Sequence, residues 1–344
     1  MIRFNNDYNH GAHPAILAAL AAENDNSFGG YGLDCWCERA AQEIKKYLDC
    51  PQADLHFLIG GTQVNYTVIA ALLRPWQSVI CADTGHIHVH ETGAVENTGH
   101  KIQALPAENG KITAQQIDAE AGLYASSEIK EHITQPKMVY LSFPTEYGTI
   151  YSLQELTEIR SVCDKYGLLL FVDGARLGYG LGADGCDVTL ADLARLCDVF
   201  YCGGTKCGAL FGEAVVFTRP GLAEGFRSAI KQNGAMLAKG WLLGLQFYTL
   251  FKDGLYFDMT KKAVLQAMQI RQAFREKGIS AYIESPTNQQ FVILEDSIMK
   301  KLAQKYIFEF ELKLDDTHSC VRFCTSWSTT QEEIDALVAD IQAL

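Results

Sequence analysis

Long hydrophobic runs are missing from this sequence, and so is a secretory leader. No stretch of the 344 residues approaches the roughly 20 apolar residues that a helix needs to cross a bilayer. Residues 1–7 contain an arginine, two asparagines and an aspartate, and they form no apolar segment of the kind found in signal peptides. We therefore expect a protein of the cytoplasm with no membrane partner.

Positive charge is also scarce. The chain has 29 lysines and arginines against 41 aspartates and glutamates, which gives a net charge of −12. Phosphate groups repel such a surface, so nucleic acid and anionic membranes are not expected as partners. A small molecule is the expected binding partner.

Cysteine is plentiful, but its pattern is not that of a disulfide framework. The 11 cysteines are scattered through apolar runs of a long chain. In a reducing compartment such cysteines behave as small hydrophobic residues. The pair Cys35 and Cys37 lacks the second pair that a zinc site requires, so no metal is predicted there.

Short apolar runs alternate with helical patterns over about the first 250 residues. Six runs are predicted as strands, at 55–59, 78–82, 138–142, 168–173, 199–202 and 213–217. Helical patterns at 63–73 and 153–166 separate several of them. Continuous apolar strands separated by helices indicate an α/β fold with a mostly parallel central sheet, covered on both faces.

The pattern changes in the C-terminal third. A long amphipathic segment at 257–277 ends at Gly278, a helix-stop signal. Strand-like runs at 290–294 and 321–324 follow, and Thr330 with Glu333 predicts a capping box at the start of a last helix. We expect a large α/β domain over 1–250, to whose site residues 1–20 contribute, and a small α+β domain over 251–344.

Three polar features follow predicted strands. A Gly-Gly-Thr turn at 60–62 precedes a helix, whose free N–H groups suit a phosphate. Asp173 ends an apolar strand, where a buried carboxylate needs a cation such as a protonated pyridine nitrogen. Lys206 lies between glycines after another strand, where a desolvated amine becomes nucleophilic. In an open parallel sheet, such strand ends form the ligand-binding edge.

These segments resemble the threonine aldolase family of fold-type-I pyridoxal-phosphate enzymes. The matching stretches are 61–65, 86–94, 173–176, 205–206 and 321–325, in family order and across nearly the whole chain. Residues 28–32 also resemble the Tyr-Gly segment of that family. The run 145–151 is most similar to the phenylserine aldolase branch.

The resemblance implies a role for each matching residue. Lys206 forms the Schiff base with pyridoxal phosphate, Asp173 holds the ring nitrogen and His86 stacks on the ring. Arg176 and Arg322 bind the substrate carboxylate. The implied cofactor contacts are Gly61, Thr62, Gln63, His86, Asp173, Arg176, Thr205 and Lys206, and the implied substrate contacts are Asn6, Tyr31, Arg176 and Arg322.

The chain departs from the family at two positions. Glu146 stands where common members have a histidine that handles the β-hydroxyl group, so Glu146 or His90 is proposed for that proton. Asn6 stands where the family often has a serine. Lys231 lies in a region that reaches a phosphate across a subunit boundary in relatives, although a solvated lysine is the simpler interpretation.

The implied activity is retro-aldol cleavage of a β-hydroxy-α-amino acid, of the L-threonine or L-phenylserine type, to glycine and an aldehyde. β-Elimination is the alternative, because the geometry of the substrate decides which bond breaks. The resemblance also implies a homodimer with shared active sites, or a homotetramer built from such dimers.

Three rival interpretations have weaker support. His86, His88 and His90 would share one face of a strand, as metal ligands do, but ring stacking explains His86 better. Residues 178–183 loosely fit the dinucleotide fingerprint of a nicotinamide-dependent oxidoreductase, yet their distance from the strand favours a loop. A non-catalytic relative would have no reason to keep Asp173 and Lys206 together.

Overall fold

The computed structural model describes residues 1–344. Its strands, in chain order, are β1 (Ile2–Arg3), β2 (Asp54–Leu58), β3 (Gln77–Ala82), β4 (Lys101–Leu105), β5 (Gln135–Ser142), β6 (Leu169–Asp173), β7 (Val199–Gly203), β8 (Glu213–Phe217), β9 (Ala281–Ile283), β10 (Gln289–Glu295), β11 (Tyr306–Ile307), β12 (Glu309–Lys313) and β13 (His318–Cys324). All predicted strands are confirmed, with bounds that differ by no more than about three residues.

The helices alternate with the strands over most of the chain. They are α1 (Pro14–Glu23), α2 (Cys35–Leu48), α3 (Gly61–Leu72), α4 (His86–Val89), α5 (Ala114–Ser126), α6 (Leu153–Tyr166), α7 (Leu177–Leu181), α8 (Leu190–Leu196), α9 (Phe226–Gln232), α10 (Trp241–Phe251), α11 (Leu255–Glu276), α12 (Asp296–Leu302) and α13 (Gln331–Gln342). Thr330 caps α13 in the capping box that its sequence predicts.

A seven-stranded sheet forms the centre of the molecule, in the order β2-β8-β7-β6-β5-β3-β4. β8 pairs antiparallel with both of its neighbours, and the other six strands run in one direction. The prediction of a mostly parallel sheet is confirmed. β4 escaped prediction because it lies at the sheet edge and its alternating sequence lacks a continuous apolar run.

Both faces of this sheet are buried. Successive residues of β5 contribute to opposite sides, since Met138 and Tyr140 pack into one cluster of buried side chains and Val139 and Leu141 into another. The larger cluster has 44 buried residues and the smaller has 19. Helices therefore cover the sheet on two sides, which explains why its strands read as continuous apolar runs.

The C-terminal part has its own four-stranded antiparallel sheet, in the order β12-β13-β10-β9. A third cluster of 13 buried residues fills the space between this sheet, α11 and α13. β1 pairs with β11 in parallel, so the N-terminus also joins this part. α11 contacts both regions, because Met259 belongs to the large cluster and Phe274 to the third. The division at residue 250 remains a prediction.

One local prediction is wrong, and the premise of one rejected interpretation does not hold. Residues 86–89 form helix α4, so the three histidines do not alternate on a strand as the metal-site interpretation required. The glycines of 178–182 lie in and beside helix α7, not in a loop. A Cβ atom at Gly178 would lie 2.8 Å from the Thr260 side chain, so this glycine allows α7 to pack closely against α11. None of the helices is both long and apolar enough to span a bilayer.

The buried ion pair between Arg160 and Asp198 is expected to contribute strongly to the free energy of unfolding. Arg160 on α6 donates to Asp198 Oδ2 over 2.7 Å, and the same oxygen accepts from the Leu170 N–H. Without Arg160 the buried Asp198 keeps only the longer contact with the half-exposed Arg219, over 3.4 Å, and loss of one partner of a buried pair costs about 3 kcal/mol. Arg160→Met should lower the free energy of unfolding by about that amount in urea titrations.

The matched control is Arg195→Met. Arg195 pairs with Asp192 over 3.1 Å at the surface, where its side chain is 58% exposed. Exposed pairs contribute about 0.5 kcal/mol or less. Equal losses in the two variants would contradict the importance of the buried pair.

Candidate active site

A cavity of about 870 Å³ opens at the carboxyl ends of the parallel strands. Because parallel strands end at one edge of the sheet, residues far apart in sequence meet there. The sequence-predicted site residues that border this cavity are Gly61, Thr62, His86, Glu146, Asp173, Arg176, Thr205, Lys206 and Arg322.

Asp173 lies in the inner wall of this cavity and is 5% exposed. It receives hydrogen bonds from the Tyr140 hydroxyl over 2.5 Å and the Asn65 amide over 3.0 Å on Oδ2, and from the Ala175 N–H over 2.9 Å on Oδ1. Burial by itself raises the pKa of Asp173, but the charge of His86, the Tyr140 and Tyr201 hydroxyls and the Ala175 N–H outweigh it and hold the pKa below its ordinary value. The carboxylate is therefore ionised without a salt-bridge partner.

A chain of hydrogen bonds connects Asp173 to His86. The Asn65 amide nitrogen donates to Asp173 and also to Glu91 Oε1, over 2.7 Å. The same Glu91 oxygen lies 2.8 Å from His86 Nδ1. Glu91 thus fixes the orientation of the imidazole, since its buried carboxylate accepts the Nδ1–H.

Sequence analysis gave Asn65, Glu91 and Tyr140 no role. A signal for Asn65 was present, because it follows Gly61 by four residues and so lies one turn further along the same face of α3. Tyr140 had no such signal. Its hydroxyl reaches Asp173 because β5 and β6 pair in register, with Tyr140 opposite Phe171.

The turn before α3 has the features of a phosphate site. Gly60 is the N-cap residue, and no side chain caps the first N–H groups of the helix. A Cβ atom at Gly60 would meet nothing within 4 Å, while one at Gly61 would lie 3.1 Å from the Tyr201 hydroxyl. That hydroxyl is buried and forms no hydrogen bond within 3.5 Å, although it lies close enough to Asp173 to lower the pKa of that carboxyl group. The helix N-terminus and the free hydroxyl suit a bound anion.

Lys206 follows β7 in a turn that the surrounding protein holds firmly. The Tyr179 hydroxyl donates to the Lys206 carbonyl over 2.7 Å, and the Thr205 hydroxyl accepts from the Gly212 N–H. Burial and the charge of Arg176 lower the pKa of Lys206, against the opposing charges of nearby carboxylates. A larger share of the amine is therefore neutral and nucleophilic than for an ordinary lysine.

Both predicted carboxylate-binding arginines already have acidic partners. Arg176 donates through Nε to Asp7 Oδ2 over 2.7 Å and through a terminal nitrogen to Asp7 Oδ1 over 3.1 Å. Arg322 Nε lies 3.3 Å from Glu311, and its terminal nitrogens donate to Gln289 and to the Asn5 carbonyl. Asp7, which sequence analysis missed, is 1% exposed and also receives a bond from Asn288.

Glu146 borders the cavity near His86. Its Oε1 accepts from the Ser142 hydroxyl over 2.6 Å and from the His86 N–H over 2.9 Å. Burial raises the pKa of Glu146, although these donors and the charge of His86 oppose the rise. A carboxyl with a raised pKa is suited to exchange protons. His90, the alternative, also borders the cavity, and its ring centroid lies 5.5 Å from that of His86.

Three predicted residues do not border the cavity of this chain. The Asn6 side chain accepts from the Tyr8 N–H, and Gln63 on α3 has a buried Oε1 without a partner. Tyr31 lines a separate cavity of about 520 Å³ and lies under the Lys231 amine, 4.8 Å from its ring centroid. The contacts expected of these three residues remain predictions.

The residues around the cavity fit pyridoxal phosphate. An ionised buried carboxylate without a salt-bridge partner, an anion site beside a buried tyrosine hydroxyl and a lysine with a lowered pKa match the three polar ends of that cofactor. The fold and this donor set define the class of a fold-type-I pyridoxal-phosphate enzyme. Residues 10–332 match the family model of the beta-eliminating lyases, and the chain belongs to that family.

Similar proteins cover the whole chain. A Pseudomonas low specificity L-threonine aldolase is 29% identical over 345 residues, which is 99% of this chain and 97% of the relative. The Escherichia coli enzyme of the same description is 26% identical, over 69% of this chain and 68% of its own. The solved structure of Leishmania major threonine aldolase is 42% identical, with a TM-score of 0.96 over 100% of this chain and 99% of that one.

A distant comparison supports the fold alone. Thermus thermophilus aspartate aminotransferase has 11% sequence identity but a TM-score of 0.72, over 100% of this chain and 91% of that one. The architecture is thus shared across enzymes whose sequences have diverged widely.

Removal of the hydrogen bond from Tyr140 to Asp173 is expected to weaken cofactor binding in a pH-dependent manner. An aspartate with a depressed pKa stays ionised above that pKa and loses its charge as the pH falls through it. Tyr140→Phe removes a donor to the carboxylate, so the pKa of Asp173 should rise. Pyridoxal phosphate should then bind about tenfold more weakly at acidic pH, and the loss should begin at a higher pH than in the unmodified protein.

Fluorescence titration of the cofactor into cofactor-free protein between about pH 3 and 7 measures this effect, since a depressed aspartate pKa lies below the ordinary value of about 3.9 and the variant's pKa rises toward that value. Tyr124→Phe on α5, outside the cavity, is the control. Identical pH curves for Tyr140→Phe and the unmodified protein would exclude the hydroxyl as a determinant of the charge on Asp173.

Proposed function

We propose that this protein is a pyridoxal-phosphate-dependent aldolase. Its substrate is a β-hydroxy-α-amino acid of the L-threonine or L-phenylserine type, which it cleaves between Cα and Cβ to glycine and an aldehyde. One observation supports this most strongly: the ionised Asp173 and the nucleophilic Lys206 border the same cavity. Membership of the beta-eliminating lyase family and the similarity to threonine aldolases agree with it.

Each polar end of the cofactor has a proposed partner. Gly61 and Thr62 hold the phosphate at the N-terminus of α3, Asp173 holds the ring nitrogen and His86 lies on the ring. Gln63, Arg176 and Thr205 remain proposed contacts. Bound pyridoxal phosphate supplies an electron sink that stabilises the charge developing at Cα.

Arg322 is the better placed arginine for the substrate carboxylate. Asp7 occupies Nε and one terminal nitrogen of Arg176, so this guanidinium is held in place and offers few free N–H groups. Arg322 uses each terminal nitrogen for one bond to an uncharged oxygen, which leaves further N–H groups free. A guanidinium with parallel free N–H groups binds a carboxylate in a bidentate manner.

Glu146 accepts the proton of the β-hydroxyl group. Its carboxyl group borders the cavity and accepts from the Ser142 hydroxyl and from the backbone N–H of His86, the residue proposed to lie on the cofactor ring. Because its pKa is raised, Glu146 binds a proton more tightly than an ordinary glutamate does. This suits it to take the proton of the β-hydroxyl group as the Cα–Cβ bond breaks. Apolar and aromatic side chains face the same cavity, among them Phe291, Phe310 and Leu312, and receive the β-substituent.

The assembly and its location are also proposed. In a homodimer with shared active sites, or in a homotetramer of such dimers, Tyr31 and Lys231 of one subunit would contribute to the active site of the other subunit. The cytoplasm is the proposed location, since a reducing compartment suits eleven unpaired cysteines, of which nine are buried.

Product analysis tests the proposed reaction. The purified protein is incubated with L-threonine and with L-phenylserine, and glycine and the aldehyde are quantified. Equal amounts of glycine and aldehyde are expected, and Lys206→Ala should abolish both products together with borohydride-stable labelling by the cofactor. Ammonia and a keto acid in place of glycine would show β-elimination instead.

Glu146→Gln tests the proton acceptor. Turnover should fall by about 10² to 10⁴, the usual contribution of a general base, while the visible absorbance of the bound cofactor persists. A raised carboxyl pKa also predicts that activity increases with pH as Glu146 ionises, and the variant should lack this acidic limb. Full activity in Glu146→Gln would remove Glu146 from this role.

Ser142→Ala is the matched variant. It removes the hydroxyl that donates to Glu146 and therefore raises the carboxyl pKa further. The acidic limb of kcat/KM should shift to higher pH, whereas the activity at alkaline pH should change little. A purely structural effect of either substitution would lower activity equally at all pH values.

A further inference from the structure

The turn that carries Glu146, residues 145–149, is closed by its own backbone. The Thr145 N–H donates to the Thr149 carbonyl over 2.9 Å, and the Gly148 N–H donates to the Thr145 carbonyl over 2.8 Å. The loop between β9 and β10, which comes from the C-terminal part of the chain, packs against this turn. The position of Glu146 therefore depends on contacts from a distant segment as well as on its own turn.

Two buried hydroxyl groups of that loop bind the Gly148 carbonyl. The Ser285 hydroxyl donates to it over 3.2 Å and the Thr287 hydroxyl over 3.1 Å, and neither side chain is exposed. Gly148 has a φ of +75°, and a Cβ atom there would collide with Ser285 Oγ, so glycine is required for this close approach. We call Ser285 and Thr287 the hydroxyl clamp.

The same segment continues to the arginine that is proposed to bind the substrate carboxylate. Gln289, the first residue of β10, is fully buried. Its Nε2 donates to the Glu146 carbonyl over 3.4 Å, and its Oε1 accepts from Arg322 over 3.2 Å. Phe291, two residues further along β10, lies opposite Arg322 in the C-terminal sheet and borders the cavity. Residues 285–289 thus connect the backbone of Glu146 to the guanidinium of Arg322.

The proposed reaction requires that two groups of one substrate be held at the same time. Arg322 binds the carboxylate, and Glu146 takes the proton of the β-hydroxyl group while the electron pair of the breaking bond stays with Cα. The distance between these two residues decides whether a substrate bound through its carboxylate also presents its hydroxyl group to Glu146. A misplacement of about 1 Å can lower a rate about 10²-fold.

We propose that Ser285 and Thr287 are positioning residues, which fix Glu146 relative to Arg322 so that one substrate meets both. Neither residue of the hydroxyl clamp borders the cavity, so both act through Glu146. The inference rests on the proposed role of Glu146 in the aldolase reaction. The two hydroxyl oxygens lie only 3.1 Å apart, so either hydroxyl group can still bind the Gly148 carbonyl when the other is removed. Loss of both releases the turn.

The double variant Ser285→Ala/Thr287→Val tests the proposal in the full-length holoprotein. Two reactions are compared: aldehyde release from L-threonine or L-phenylserine, and exchange of the glycine α-hydrogen with deuterated solvent, followed by NMR. Both depend on the cofactor, Lys206 and Arg322, but glycine has no β-hydroxyl group. In the double variant kcat for cleavage should fall about 10²-fold. The rate of glycine exchange should change by less than about twofold.

Further variants separate positioning from a general loss of structure. Ser285→Ala or Thr287→Val alone leaves one bond to Gly148 and should lower cleavage only about threefold, so the two effects are not additive. Ser285→Ala/Thr287→Ser, which keeps one hydroxyl group, should match the single variants. The control Thr157→Val removes an exposed hydroxyl group that donates to the Leu153 carbonyl, and it should match the unmodified protein. Equal falls in cleavage and in glycine exchange, or unchanged cleavage in the double variant, would overturn the proposal.

A second readout uses the cofactor-free protein and requires no substrate. Hydrogen exchange of the backbone amides of residues 145–149, measured by mass spectrometry, shows how firmly the turn is held. These amides should exchange about tenfold faster in the double variant than in the unmodified protein, because the turn opens more often. Faster amide exchange in a protein that forms no glycine would refute the aldolase reaction and not the hydroxyl clamp. Glycine formation with amide exchange that is identical in the two proteins would refute the clamp and not the reaction.

Discussion

The negative charge of Asp173 at the buried end of β6 is the constraint on which the site depends. Desolvation of a carboxylate costs several kcal/mol, and this protein offsets that cost with the charge of His86 and three hydrogen-bond donors, without a salt bridge. The charge therefore stays available to a cationic ligand in the cavity. Any residue that supplies one of these donors becomes part of the site, even when it never touches a substrate.

The same requirement explains the network behind the cavity. Asn65 donates to both Asp173 and Glu91, and Glu91 in turn accepts from His86. Because one amide group connects two carboxylates, the position of the imidazole is tied to that of Asp173. Acidic groups also hold the cationic side of the cavity, where Asp7 fixes Arg176 and Glu311 approaches Arg322. The pocket is thus preorganised by charge on both sides.

The architecture brings these groups together through strand direction. Six strands of the central sheet end at one edge, so turns from 60 to 206 meet around one cavity. Strand β8 runs in the opposite direction, so its first residue, Glu213, lies at this edge. Tyr8 from the N-terminal segment and Arg322 from the C-terminal sheet border the same cavity, and Asp7 holds Arg176 in its wall. The cavity consequently requires nearly the whole chain.

The amino-acid sequence determined the alternation of buried strands and helices, since continuous apolar runs fit a sheet that is covered on both faces, and it located Asp173 and Lys206 at strand ends. It also determined the helix stops and the capping box at Thr330, because these depend on neighbouring residues alone. Only the tertiary structure decided that Glu213 borders the cavity, that Tyr140, Glu91 and Asp7 contact Asp173, His86 and Arg176 in its wall, and that residues 86–89 are helical. Strand register, close helix packing and burial create those contacts, and they join residues too distant in the chain for any local pattern to show.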